Sequence, residues 1–139
     1  MSFINTIAGI HKEEVTCSCD TARTHVVFGC GGDRDTTKRA RMGMIAETHA
    51  TNVYLTSDNP RSENQIAIIN DILAGIDDAE RVYINPDRRE AIFHAVDSAN
   101  QGDVVLIAGK GCEPYQEISG TLYPFLDSDV GREALEVRG

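Results

Sequence analysis

Apolar and polar positions change period repeatedly along the chain, marking out short strands that alternate with helices. His25-Val26-Val27-Phe28 is the first clear strand, a β-branched and aromatic run. It leads into Gly29-Cys30-Gly31-Gly32-Asp33-Arg34-Asp35, and a helix is expected from about Lys38 to Ala50 with Met42, Ile45 and Ala46 inward. Asn52 to Thr56 is the second strand. Ile66, Ile69, Leu73 and Ile76 then repeat at helical spacing across 63–76, and Ser62 with Gln65 has the form of a capping box. The third strand, Arg81 to Ile84, runs into Asn85-Pro86, an N-cap followed by proline at the first helical position. That helix is expected to bury Ala91, Ile92, Ala95, Val96 and Ala99, with Asn100-Gln101-Gly102 ending it. Asp103 to Ala108 is the fourth strand and opens into Gly109-Lys110-Gly111-Cys112-Glu113. Tyr115 to Leu122, with Gly120 at its centre, suits a hairpin, and Asp127 caps a last helix carrying Val130, Ala134 and Leu135. Upstream, residues 2–13 carry the apolar stripe Phe3, Ile4, Ile7 and Ile10 of a short helix, and residues 14–23 read as a polar surface loop.

Strand, loop and helix, four times over, specify an α/β fold: a Rossmann-like, doubly wound, mostly parallel sheet with flanking helices. The 139 residues read as one domain, 1–139, without repeats or low-complexity tracts. In such a sheet every strand-to-helix connection lies at the same edge, where ligands bind. The glycine-rich loop 29–35, the turn at 56–62 and the loop 109–113 are therefore expected to converge.

Charge narrows the partners. Twenty-two acidic against thirteen basic residues give a net charge of −9, which argues against nucleic acid or an anionic membrane surface. No apolar run approaches the roughly 20 residues of a membrane span, and no signal peptide opens the sequence, so a cytoplasmic protein is expected. The four cysteines are scattered; Cys17-Ser18-Cys19 has no second Cys/His pair at zinc spacing, so reduced thiols and no metal are expected.

The turn Asp58-Asn59-Pro60-Arg61 joins a carboxylate, an amide and a guanidinium, and Pro60 stiffens it. Arg61 suits a carboxylate as a fork, and Asp58 accepts from an ammonium; the competing reading is an Asx-turn beside a solvated arginine. Arg34, between Asp33 and Asp35, is either part of a local ion-pair cluster or a second carboxylate-binding arginine. Glu113 follows Gly109 and Gly111, which let the backbone approach a ligand, and is free to pair with an ammonium. Neither glycine loop has the spacing of a P-loop or of Gly-x-Gly-x-x-Gly. No Ser/His/Asp or Cys/His arrangement stands out; the four histidines read as structural or solvated, and Cys112 lacks an evident base. Two arginines, two acids, an amide and glycines suit a ligand with carboxylates and ammoniums at both ends better than they suit bond-making.

Several long motifs occur in an order that resembles the C-terminal domain of Mur ligases, in particular their diaminopimelate-adding branch. They are Val27 to Asp35, Lys38-Arg39, Met42-Gly43, Ile45-Ala46-Glu47, Asp58-Asn59-Pro60-Arg61 and Ile68 to Ile72. Asp87-Arg88, Gly102 to Val105, Ala108 to Gly111, Glu113 and Tyr115-Gln116 continue the resemblance, which covers roughly 25–136.

The resemblance implies an ATP-dependent amide ligase that adds meso-diaminopimelate to UDP-MurNAc-L-Ala-D-Glu in peptidoglycan synthesis. ATP and Mg would belong to the complete ligase, with neither bound by this domain alone. It also implies roles: Asp58, Asn59 and Arg61 hold the distal end of the diamino acid, Gly109 and Glu113 take its distal ammonium, and Arg34 binds the carboxylate beside the reacting amine. No catalytic residue is assigned. The N-terminal uridine-nucleotide domain and the central ATP-binding domain of the family are not found in this sequence, so the isolated chain is expected to bind without turnover. The alternative is a free-standing amino-acid-binding or interaction module. Cys112 stands where the family usually has histidine.

Overall fold

A computed structural model describes residues 22–139. The helix expected over 2–13, the loop up to residue 21 and the Cys17/Cys19 pair lie outside the described residues.

Four strands form one all-parallel sheet: β1 (Thr24–Phe28), β2 (Asn52–Leu55), β3 (Val82–Ile84) and β4 (Val104–Ile107), in the order β3-β2-β1-β4. Each is only three to five residues long and apolar on both faces, as parallel strands covered from two sides must be. Alternation sends Val26, Phe28, Val53 and Leu55 to one face, where they pack with Ile68, Ile69 and Ile72. That face is covered by α1 (Arg39–His49) and α2 (Gln65–Leu73). Val27, Tyr54, Val105 and Ile107 point to the other face, against Ala91, Ile92, Ala95, Val130 and Ala134 of α3 (Arg88–Ser98) and α4 (Asp127–Arg138). Helices on both faces make the sheet doubly wound, as expected. Among the described residues, no helix is long and apolar enough to cross a membrane.

The expected elements are present with shifted ends. Ser62 does not cap α2; Asn64 does, its side chain accepting from the N–H groups of Ile66 and Ala67 at 2.9 and 3.1 Å. The Ser62 hydroxyl donates instead to Asp33 Oδ1 at 2.6 Å, and Gln65 accepts from the Ser57 hydroxyl, so both halves of the expected box are drawn away by tertiary partners. Asn85 likewise forms an Asx turn to the N–H of Asp87, and Asp87 caps α3 by accepting from the N–H of Glu90. Arg81 falls in a 3₁₀ turn, Ala79–Arg81, rather than in β3. Ile66 is exposed, and Ile68, Ile69 and Ile72 form the buried stripe of α2. Asp127 is the first residue of α4, not its cap, which is Leu126.

The hairpin forms from β5 (Tyr115–Ile118) and β6 (Thr121–Pro124), turning at Ser119-Gly120. It does not hang free. The Arg61 N–H donates to Glu117 O at 2.9 Å and the Ser119 N–H donates to Arg61 O at 2.8 Å, so β5 docks alongside the turn that follows β2.

Candidate functional site

The strand order reverses direction beside β1, whose neighbours are β2 and β4, and the loops leaving these three strands share one rim. They do more than lie near one another. The Gly32 N–H donates to Asn59 O at 2.8 Å, Arg61 Nη1 donates to Gly32 O at 2.9 Å, and Asn59 Nδ2 donates to Glu113 Oε2 at 2.5 Å. Two glycines permit this closeness. A Cβ on Gly29 would lie 2.1 Å from Thr56 O, and one on Gly109, where φ is +110°, would lie 2.6 Å from Asp58 Oδ2.

Asn59 is the hinge pin of the rim. It is fully buried, and its amide joins two elements: Nδ2 reaches Glu113, while Oδ1 accepts from the Glu117 N–H at 2.6 Å. Asp58 is buried beside it, with Oδ1 accepting from the Asn59 N–H at 2.6 Å and Oδ2 facing Gly109. Burial raises the pKa of Asp58; Glu113 raises it further, while Arg88, the Asn59 N–H and Lys110 pull it down.

Arg61 sits at φ +52°, a left-handed conformation held by its two backbone bonds to the hairpin. Its Nη1 donates to two carbonyls, of Gly32 and Asn59, and its Nε lies 3.6 Å from Glu117 Oε2. Among the described residues Nη2 meets no acceptor. Arg34 lies nearby. Its Cγ lies 3.7 Å, and Arg61 Nη1 2.9 Å, from the point a Cβ on Gly31 would occupy, so both arginines come close to Gly31. The local ion-pair cluster weighed for residues 33–35 does not form. Asp33 is engaged by the hydroxyl and N–H of Ser62, Asp35 by the hydroxyl and N–H of Thr37, and Arg34 is exposed.

Three buried cations escaped the sequence reading as site-builders. Lys110 is 2 % exposed; its ammonium donates to Glu113 O at 3.1 Å and to Tyr115 O, folding the 109–115 loop around itself. Burial lowers its pKa. Arg39 of α1 binds Gly31 O, Glu63 and Asp71, tying the glycine loop to the start of α2. Arg88 of α3 pairs with Asp127. The partner of Arg88 lies 39 residues away, whereas Lys110 folds back onto carbonyls three and five residues on. Cys112 is exposed with a free thiol, and Cys30 is buried, its pKa raised to about 11 by that burial.

A parallel sheet ordered 3-2-1-4, with helices on both faces, defines a Rossmann-like domain. The chain belongs to the family described as Mur ligase, glutamate ligase domain, which matches residues 4–111. It is 57 % identical over 117 residues to the UDP-N-acetylmuramoyl-L-alanyl-D-glutamate--2,6-diaminopimelate ligase of Chromobacterium violaceum, a match covering 84 % of this chain and 24 % of that one. With the enzyme of the same name from Aquifex aeolicus it shares 53 % identity over 109 residues, covering 78 % of this chain and 23 % of the relative. A solved structure of a ligase of that name superposes with a TM-score of 0.78 at 46 % identity, over 84 % of this chain and 24 % of that one. The chain thus spans about a quarter of the length of these relatives.

Proposed function

We propose that this chain is the amino-acid-binding domain of an ATP-dependent ligase that adds meso-diaminopimelate to UDP-MurNAc-L-Ala-D-Glu in peptidoglycan synthesis. The observation that supports it most is the joining of Arg61, Asn59 and Glu113 on one rim, with a guanidinium edge on one side and paired acids on the other. Arg61 takes the distal carboxylate of the ligand, Asp58 lies at that end, and the buried Asn59 shapes it by holding Glu113 and β5 in place. Glu113 and the backbone of Gly109 receive the distal ammonium. Arg34 holds the carboxylate next to the reacting amine, leaving that amine directed away from the rim.

Specificity follows from charge. L-Lysine lacks a distal carboxylate, so Arg61 would lose its ligand partner while still being desolvated by the bound molecule. A charged hydrogen bond contributes about 1.5–3 kcal/mol, so meso-diaminopimelate is expected to bind about tenfold to a hundredfold more tightly than lysine.

In the complete ligase, ATP with Mg supplies activation of the nucleotide-peptide carboxylate. Among the described residues no group of three His, Cys, Asp or Glu is arranged to hold a metal ion, and the glycine loops lack P-loop spacing, so no step involving nucleotide or metal is assigned to this chain. What its residues contribute is proximity: the amine is held in one orientation for attack when the domain closes on its partners. Alone it binds and does not turn over.

Calorimetry with meso-diaminopimelate and L-lysine, on the wild type and Arg61→Ala, tests the binding half. Preference for diaminopimelate that vanishes in Arg61→Ala supports it; equal binding of both ligands, or none at millimolar concentration, overturns it. Adding the uridine-nucleotide and ATP-binding domains of a relative in trans tests the ligase half through diaminopimelate-dependent phosphate release. A folded mixture that binds the amino acid and releases no phosphate would leave a binding module only.

A further inference from the structure

The guanidinium of Arg88 is buried in the heart of the molecule, 1 % exposed, and two of its hydrogen bonds reach the strand ends beneath the rim. Its Nε and Nη2 donate to Asp127 Oδ1 and Oδ2 at 2.8 and 2.7 Å, a two-pronged pair between the first turns of α3 and α4. The remaining donors go to two carbonyls: Nη1 to Ser57 O at 3.0 Å and Nη2 to Ala108 O at 3.1 Å. Ser57 immediately precedes Asp58, and Ala108 immediately precedes Gly109. The planar fork therefore spans the ends of β2 and β4 on either side of β1, and fixes the gap into which Asp58 Oδ2 and Gly109 fit.

We propose that Arg88, fixed by Asp127, is a positioning residue that sets the separation and charge of the Asp58 turn and the Gly109 loop, and thereby the affinity for a diamino diacid, a role that rests on the reading of the rim given above. A rigid planar donor suits this position, because the flexible ammonium of a lysine cannot pair with the Asp127 carboxylate as a fork while also spanning both carbonyls. Its charge matters as well as its shape. Asp58 is faced by Arg88 from α3, Lys110 and Glu113 from the loop after β4, and the N–H of Asn59 from its own turn. Burial pushes the Asp58 carboxyl up, and Arg88 and Lys110 are the two cations that pull it back down. Gln116 of β5 reinforces the same turn, its Nε2 donating to Asp58 O at 2.8 Å, and leaves the link to Ala108 to Arg88.

Two variants of the full chain separate positioning from simple support. Arg88→Lys keeps a cation against Asp127; Arg88→Met/Asp127→Leu replaces the buried pair by apolar side chains, an exchange that buried ion pairs often tolerate. Both are compared with the wild type by urea unfolding, by calorimetry with meso-diaminopimelate across pH, and, without ligand, by titration of the Asp58 carboxyl carbon in labelled protein. The double variant is expected to fold, to bind at least tenfold more weakly, and to titrate Asp58 higher than the wild type, so that binding is lost at a higher pH as the solution is acidified. Arg88→Lys is expected to weaken binding at least threefold with a smaller displacement of the titration, and it decides alone if the double variant does not fold. Wild-type affinity and an unmoved Asp58 titration in a folded variant overturn the proposal. If the wild type fails to bind, the reading of the rim is refuted, and the ligand-free titration still judges Arg88.

Discussion

Removing the Asn59 side chain gives the sharpest view of how the rim is held. Asn59→Ala deletes two hydrogen bonds from a fully buried position: one to the Glu113 carboxylate at 2.5 Å and one from the Glu117 N–H at 2.6 Å. A hydrogen bond to a charged group contributes about 1.5–3 kcal/mol, and a buried N–H left without an acceptor costs about 1–3 kcal/mol. The Glu117 N–H is only partly buried, which places it at the low end. The expected loss is therefore about 3 kcal/mol, a large share of a domain's usual 5–15 kcal/mol. With a urea slope of about 1.5–2 kcal/mol/M for a chain this size, the unfolding midpoint falls by about 1.5–2 M. Far-UV circular dichroism against urea reads this directly. A cycle with Glu113→Ala isolates the cross-loop bond, which should carry a coupling of at least 1 kcal/mol. A midpoint within 0.3 M of wild type, about 0.5 kcal/mol at that slope, would refute the reasoning that this amide holds the two loops together.

Other outcomes follow from the same geometry. Gly109→Ala places a methyl 2.6 Å from Asp58 Oδ2 at a φ of +110°, and should cost about 1–3 kcal/mol in urea titrations while abolishing diaminopimelate binding; unchanged binding would show that Gly109 does not line the site. Asp103 is held at about 2, below the usual 3.8, first by the Asn100 N–H and then by His25 and the Arg23 N–H. A depressed carboxylate adds stability above its unfolded pKa and loses it as pH falls through the folded value. The wild type should thus lose about 2 kcal/mol more than Asp103→Asn between pH 5 and pH 2, and parallel stability curves would contradict this.

How far the sequence reached can be judged from particular residues. The strands were legible because β-branched runs such as Val26-Val27 and Val104-Val105 are local signals, and the sheet-edge rule then brought three distant loops together without further information. Cap positions were misread where a nearer tertiary partner competed. Ser62 and Gln65 have the spacing of a capping box, but Asp33 and Ser57 lie within reach of their side chains, and Asn64 takes over the helix end. The apolar stripes of α1 and α3 are diluted because each helix buries an arginine, Arg39 or Arg88, on its inward face. A buried arginine looks like any surface charge until its partner is known, and Asp127 lies 39 residues from Arg88. Arg34 and Arg61 were recognisable as candidates, yet their approach to Gly31 depends on a bond from the Arg61 side chain to a carbonyl 29 residues away that no local pattern encodes.

The most direct test of the central claim is an amide NMR titration of the labelled chain with meso-diaminopimelate, with L-lysine as the control. The account expects shifts confined to Gly32, Arg34, Asn59, Arg61, Gly109 and Glu113, at ligand concentrations where lysine moves none of them. The same shifts with lysine, or shifts centred on residues away from these three loops, would contradict it.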